Sequence, residues 1–354
     1  MKRFNSIALA AVAVVMVAVS AMPAAPVDAA SSAALSIVPK KNYVIEPGKS
    51  VNDTLTIRNL DNNEPLELSM RVVDFTFHDD GGTPKLMLAE DAPQTTWSLK
   101  PFLKVPKSVT IAPNASKTLD MSVAIPKGHG AGSYYSAIVY SSGGSEEGNV
   151  GLSASGVTLV FTQIPGKVKE DLKLERLGAY YLAVPGGREA KYVKFATEKP
   201  EAIAYTLKNN GNVTEAPVGS ITLKHMLGQE KVINDINPNS SLALIGQTRT
   251  FTSCIKLESE EVDFQGRASQ TSACTTPSLW PGRYSIELNA FYGQNGNRTQ
   301  EIVATSSFWY LPWWFIAVVI ILIVILTFVV WRTVNAVRGR LYGSKIKKSS
   351  RRRR

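Results

Sequence analysis

Residues Trp313 to Trp331 form an apolar run of 19 residues whose only polar side chain is Thr327. As a helix rising about 1.5 Å per residue, such a run spans about 28 Å, close to the hydrocarbon thickness of a bilayer. Ten cations follow at once, with no acid among them: Arg332, Arg338, Arg340, Lys345, Lys347, Lys348, Arg351, Arg352, Arg353 and Arg354. A core helix would leave these charges beside apolar packing, so the run reads as a membrane span. Trp309, Tyr310, Trp313 and Trp314 stand at its outer end and Trp331 at its inner end, the arrangement of interfacial aromatic belts. The positive-inside rule then puts residues 332–354 in the cytoplasm as a short basic tail, with the span over 309–331.

The N-terminus agrees with that topology. Lys2 and Arg3 precede an apolar run, Ile7–Val19, and then small residues with a cleavage position after Ala29 or after Ala21. Residues 1–29 therefore read as a secretory signal, and everything from 30 to 308 is expected outside the cell. The formal net charge of +10 belongs to the tail. The body is near neutral, which excludes the basic surface that nucleic-acid binding requires.

Between the two ends, alternation with period two dominates. Leu66, Leu68, Met70 and Val72 interleave with Glu67, Ser69 and Arg71; Leu119, Met121, Val123 and Ile125 with Asp120 and Ser122; Tyr284, Ile286, Leu288 and Ala290 with Ser285, Glu287 and Asn289. Each run gives a strand one apolar and one polar face, as half-buried antiparallel sheets require. Turn sequences punctuate the runs, among them Asp79-Asp80-Gly81-Gly82, Gly143-Gly144, Gly186-Gly187, Asn209-Asn210-Gly211-Asn212 and Asn295-Gly296. The expected fold is all-β: two immunoglobulin-like antiparallel sandwiches, 30–165 and 166–308, followed by one transmembrane helix.

An internal echo supports the pair. Asp53–Asn59 before Leu60-Asp61-Asn62 parallels Ile203–Asn209 before Asn210-Gly211-Asn212. Pro113-Asn114-Ala115-Ser116 parallels Pro238-Asn239-Ser240-Ser241, and Gly132-Ser133-Tyr134 parallels Gly282-Arg283-Tyr284. Tyr134 and Tyr284 sit where immunoglobulin-like folds fasten a corner with a tyrosine hydroxyl.

Cys254 and Cys274, the only cysteines, suit one disulfide in an exported segment. It would staple a polar loop, stabilising it by about 3 kcal/mol in the chain-entropy model, with a contact surface as the other use. Catalytic signatures are missing: no His-Glu-x-x-His, Gly-x-Ser-x-Gly or P-loop occurs. Gly128-His129-Gly130 reads as a turn, and His78-Asp79-Asp80 as a hairpin tip rather than a metal site. Trp97 reads as a core anchor and Trp280, before Pro281-Gly282, as a cap on the second core, with an exposed ligand-stacking residue as the alternative for either. No cofactor, metal or enzyme activity is expected.

The stretch Leu35–Pro39, Asn42–Lys49, Leu55–Asn59, Val73–Thr76 with Gly81-Gly82, Val109–Pro113, Val123–Pro126 and Gly132–Tyr140 resembles the peptidoglycan-binding domain of the WxL-interacting surface proteins of Gram-positive bacteria. Ser136-Ala137 stands where that family usually shows a Gly-Gly pair. The resemblance implies a signal peptide, two sandwiches, one membrane helix and a basic tail, with the first domain holding peptidoglycan and the second a partner protein. The expected role is that of a non-enzymatic, single-pass surface binding protein, contacting cell-wall polymer or another surface protein. Its candidate ligand contacts are Trp97, His78 and Asp80, and the loop between Cys254 and Cys274. An envelope-assembly factor that holds exported subunits by strand-edge pairing is the alternative; an apolar, unpaired edge would favour it, and polar or covered edges the first reading.

Overall fold

A computed structural model describes residues 35–79, 81–89, 91–142, 154–264, 267–293 and 298–350. The signal segment, Asp80, the two Gly/Asn turns at Gly143-Gly144 and Asn295-Gly296, and Arg351–Arg354 lie outside these residues.

The first sandwich holds β1 (Leu35–Ile37), β2 (Lys40–Val44), β3 (Ser50–Asn59), β4 (Leu66–Val73), β5 (Phe75–Phe77), β6 (Pro84–Leu86), β7 (Leu103–Lys104), β8 (Ser108–Ile111), β9 (Ser116–Ala124), β10 (Gly132–Ser142) and β11 (Ala154–Ile164). One sheet runs β1-β3-β9-β7 and the facing one β2-β11-β10-β4-β8. The second sandwich holds β12 (Leu172–Tyr181), β13 (Lys191–Val193), β14 (Phe195–Ala196), β15 (Ala202–Asn209), β16 (Val218–His225), β17 (Glu230–Ile233), β18 (Thr248–Cys254), β19 (Leu257–Phe264), β20 (Arg267–Cys274), β21 (Gly282–Tyr292) and β22 (Gln300–Tyr310). Its sheets run β13-β12-β15-β18 and β14-β22-β21-β16-β17.

The echo in the sequence is a repeated topology. In each half an early edge strand runs parallel to the last one, β2 beside β11 and β14 beside β22. Asn59 and Asn209, both buried, close equivalent corners. The Nδ2 of Asn59 donates to the carbonyls of Glu64, Ile111 and Ala112, and that of Asn209 to those of Val213 and Ala243. Each Oδ1 accepts the amide two residues on, at 2.9 Å. Both tyrosine corners form as expected: the Tyr134 hydroxyl donates to Gly130 O at 3.1 Å and that of Tyr284 to Trp280 O at 3.0 Å. Gly132 and Gly282 precede them with φ of 150° and 143°, where a Cβ would strike Asn212 O or His225 Nε2.

Tyr284 also accepts the Trp280 amide at 2.9 Å and is buried, whereas Tyr134 makes one bond at the surface. Tyr284→Phe is therefore expected to destabilise the protein by about 1–2 kcal/mol and Tyr134→Phe by less. Denaturant unfolding of both variants in detergent checks the order.

Separate cores fill the two sandwiches, around Leu55, Ile57, Leu68 and Val123 in the first and Tyr205, Leu207, Ile286 and Leu288 in the second. A third apolar cluster lies between them. Val73, Phe75, Tyr135, Ala137, Val139 and Phe161 on the outer face of the first sandwich pack against Leu244, with Leu242 and Ile245 at the margin. Polar contacts frame it. Phe77 N donates to Gln247 Oε1 at 3.1 Å, Ser133 N to Asn212 O at 3.0 Å, and Thr214 N to Ser133 Oγ at 2.9 Å. The Arg249 guanidinium lies over the Phe77 ring at 4.7 Å and donates to Leu242 O at 2.6 Å. The halves thus meet through a buried apolar contact rather than a bare linker.

Strand β22 leads through Leu311 and Pro312 into α1 (Trp313–Ser350), in which Trp313–Arg338 is long and apolar enough to cross a membrane. Its start at Trp313 corrects the expected 309–331 span. Trp309 and Tyr310 belong to β22, where alternation turns Phe308 and Tyr310 into the second core. Tyr310 is a core residue, not an interfacial one. Trp309, Trp313, Trp314 and Trp331 are exposed. Arg332 and Arg338 follow the apolar stretch on α1, and Arg340, Lys345, Lys347 and Lys348 lie further along it.

Candidate functional site

Parallel pairing fixes how β2 presents itself. Leu159 N donates to Pro39 O and Ile45 N to Gln163 O, each at 2.9 Å. Residues 39 and 45 therefore point their backbone groups at β11, and by alternation so do Lys41 and Tyr43. Asn42 and Val44 turn their N–H and C=O outward, at the free edge of the sheet. Their side chains share the sheet face of Phe161, which looks toward the second sandwich. The opposite side of β2 is pinned: Asp53 accepts from Lys41 Nζ and Tyr43 OH, both at 2.5 Å. These two bonds, with the Thr54 amide, hold the Asp53 carboxyl down at about 2.

Between that edge and the second sandwich runs a cleft of about 350 Å³, within the size range of ligand sites. Asn42, Tyr43, Val44 and Thr162 line one wall and Thr214, Glu215, Leu242 and Arg298 the other. Glu215 is 2% exposed. Its backbone bridges to Ala243, and its Oε2 accepts the Gly293 amide at 3.2 Å. Among the described residues Oε1 has no partner; the buried Thr162 Oγ1 has none either, but Thr162 shares the face of Tyr43 and turns into the first core rather than the cleft. Buried polar atoms are rarely left unpaired, and each costs roughly 1–3 kcal/mol when it is. Burial, reinforced by the nearby Glu170 and opposed by the Gly293 amide, pushes the Glu215 carboxyl up to about 7. This wall accepts hydrogen bonds and favours a donor or cation.

A larger groove, about 650 Å³, follows β18. Several of its polar groups are matched within the chain: Asn237 Nδ2 donates to Pro217 O and Ser241 O, and Ser253 Oγ to Ile236 O.

The structure does not bring the sequence candidates together. His78 is exposed at the β5–β6 hairpin tip, where Asp79 accepts from the Thr83 amide and hydroxyl. Trp97 is half-buried, stacked on Tyr135 at 6.0 Å in the cluster between the sandwiches. No hydrogen bond or ring contact joins the two among the described residues, and Asp80 is not described. The Cys254–Cys274 disulfide is present. It closes the base of a two-stranded arm, β19–β20, that pairs with no other strand. Trp280 is 63% exposed, correcting its reading as a cap on the second core in favour of the exposed alternative: Tyr284 holds its backbone, and the indole is left outside.

Edges bear on how a partner would attach. Those of β1, β7, β13 and β14 are two or three residues long, β17 carries Glu230 and Lys231, and β2 carries Lys40 and Lys41, whereas β8 and β18 present edges of four and seven residues. Short and charged edges resist indiscriminate strand addition.

No family model matches the chain, and no curated protein matches it. Solved structures similar to it include the class 5 fimbriae chaperone CfaA, 13% identical over 77% of this chain and 99% of that one, with a TM-score of 0.33. The E. coli chaperone DraB is 12% identical over 77% and 98%, at 0.31. A putative carbohydrate binding protein from Bacteroides ovatus is 12% identical over 76% and 68%, at 0.24. Likeness at this level says nothing about ligand or partner.

Proposed function

We propose that the protein is a non-enzymatic, membrane-anchored binding protein. It holds an extended segment of a partner polypeptide in the cleft between its two sandwiches. The carrying observation is the buried Glu215 Oε1, without a partner among the described residues, across the cleft from the outward backbone groups of Asn42 and Val44. A peptide supplies N–H donors along its length and so suits both features. The two- and three-residue edges of β1, β7, β13 and β14 leave little room for strand addition there. A secretory signal in residues 1–29 and the cations after the apolar stretch of α1 support an orientation with both sandwiches outside and the tail inside.

The test is photo-crosslinking in intact cells, from a reactive side chain at Asn42 and, as control, at Thr110 on the far edge strand β8. A discrete protein adduct from position 42 and none from 110 is expected. Adducts removed only by cell-wall hydrolase would instead favour wall polymer as the ligand. Equal adducts from both positions would remove the cleft from the account.

A further inference from the structure

The chain between β22 and α1 has almost no slack. Tyr310 ends the strand, and only Leu311 and Pro312 precede the helix. The Leu311 amide donates to Ala196 O at 2.8 Å, and Pro312 O accepts the Phe315 amide at 2.9 Å, so both residues are tied into their neighbours. Two residues reach at most about 7 Å. Whatever lies at the Tyr310 end of the second sandwich therefore lies at the mouth of the helix.

Strand register says what is there. Phe195 pairs with Trp309, Gly282 with Tyr310 and His225 with Tyr284. Hence β14, the Trp280 turn and the β16–β17 hairpin tip all share that end. Their outermost side chains are apolar and unusually bare: Phe195 is 64%, Met226 62%, Leu227 78% and Trp280 63% exposed. Trp309, Trp313 and Trp314 continue the patch onto the helix. Met-Leu at a hairpin tip contradicts ordinary turn chemistry, which favours Gly, Asn, Asp and Ser; Met226 Sδ accepts the Arg283 amide at 3.4 Å, but the Leu227 side chain is left bare. Exposed Lys194 and Arg283 flank the patch. Bare aromatic and aliphatic side chains rimmed by cations are what a bilayer interface accommodates.

We propose that the base of the second sandwich rests in the outer interfacial layer of the bilayer, with Phe195, Met226, Leu227 and Trp280 embedded beside Trp309 and Trp313. This rests on α1 being the membrane anchor. The docking fixes the sandwich upright. The cleft residues Thr214, Glu215 and Gly293 are at the other end of β16 and β21, about 35 Å away at roughly 3.3 Å per residue. The binding site is thereby held clear of the lipid at a set height.

The test uses the full chain in phosphatidylcholine nanodiscs, one copy per disc. Cys254 and Cys274 are disulfide-bonded, so Leu227→Cys supplies the lone thiol for an environment-sensitive fluorophore. Thr327→Cys and Asn114→Cys serve as reference sites. Quenching at 227 by nitroxides placed high on the acyl chain, strong quenching at 327 by nitroxides near the bilayer centre, and none at 114 is the expected pattern. Quenching at 327 without any at 227 overturns the docking while leaving the anchor intact. Loss of quenching at 327 overturns the anchor, and the docking with it. Blue-shifted but unquenched emission at 227 also overturns it, since the patch is then covered by protein.

Discussion

Asp74→Ala is expected to destabilise the first sandwich by about 3 kcal/mol, the order expected when a buried, multiply hydrogen-bonded carboxyl is removed. Asp74 lies between β4 and β5 and is buried. Its Oδ1 accepts from Ser98 Oγ at 2.7 Å and Ser136 Oγ at 2.9 Å, and its Oδ2 from the Thr95 amide and hydroxyl at 3.1 and 3.2 Å. The two serine protons have no better acceptor, because Ser136 Oγ already accepts the Leu99 amide and Ser98 Oγ that of Lys100. Alanine leaves this set of donors facing a hole. Asparagine retains one oxygen but turns an amide against donors, so Asp74→Asn is expected to cost less, about 2 kcal/mol. Urea unfolding in detergent gives both values. The network also sets Trp97, which reaches Tyr135 from the Thr95–Leu99 segment. Loss of the Trp97 near-ultraviolet signal at low urea would accompany the destabilisation.

Glu215→Gln is expected to flatten the pH dependence of stability. Burial raises the folded-state carboxyl to about 7, above its value of roughly 4.3 in an unfolded chain. The folded state therefore holds this proton more tightly. The stabilisation is fully present below about pH 4.3 and fades as pH rises through about 7, a change on the order of 3 kcal/mol. Glutamine stays neutral throughout and keeps an oxygen for the Gly293 amide. The variant should match the wild type near pH 4 and exceed it by roughly 3 kcal/mol near pH 8. Unfolding midpoints across that range decide it; parallel curves would show that Glu215 is solvated. A partner cation at Oε1 would ionise the carboxyl, so binding should release a proton.

Much of this architecture was legible. The alternating runs became β4, β9 and β21, and the two Gly-x-Tyr matches became tyrosine corners, because both signals are local. The contact between sandwiches was not. Its trace was β10, whose Tyr134–Tyr140 segment is almost continuously apolar, as a strand covered on both faces must be. Glu215 gave no warning, since an acid in an Asn-Val-Thr-Glu-Ala-Pro stretch reads as a surface loop until tertiary packing buries it. Tyr310 stands near the span, where aromatic content reads as an interfacial belt, and Trp280 stands before a Pro-Gly turn, where a lone Trp reads as a core cap; strand alternation and the Tyr284 corner decide which ring turns inward.

The cleft as the seat of partner binding is tested most directly by Val44→Pro. Proline removes an amide that points away from β11 and leaves the inward ladder of Tyr43 and Ile45 in place, so the fold should survive. With the crosslinker at Asn42, the protein adduct in intact cells should fall about tenfold against the parent, equivalent to about 1.4 kcal/mol. An undiminished adduct, with the variant folded and inserted, would contradict the account.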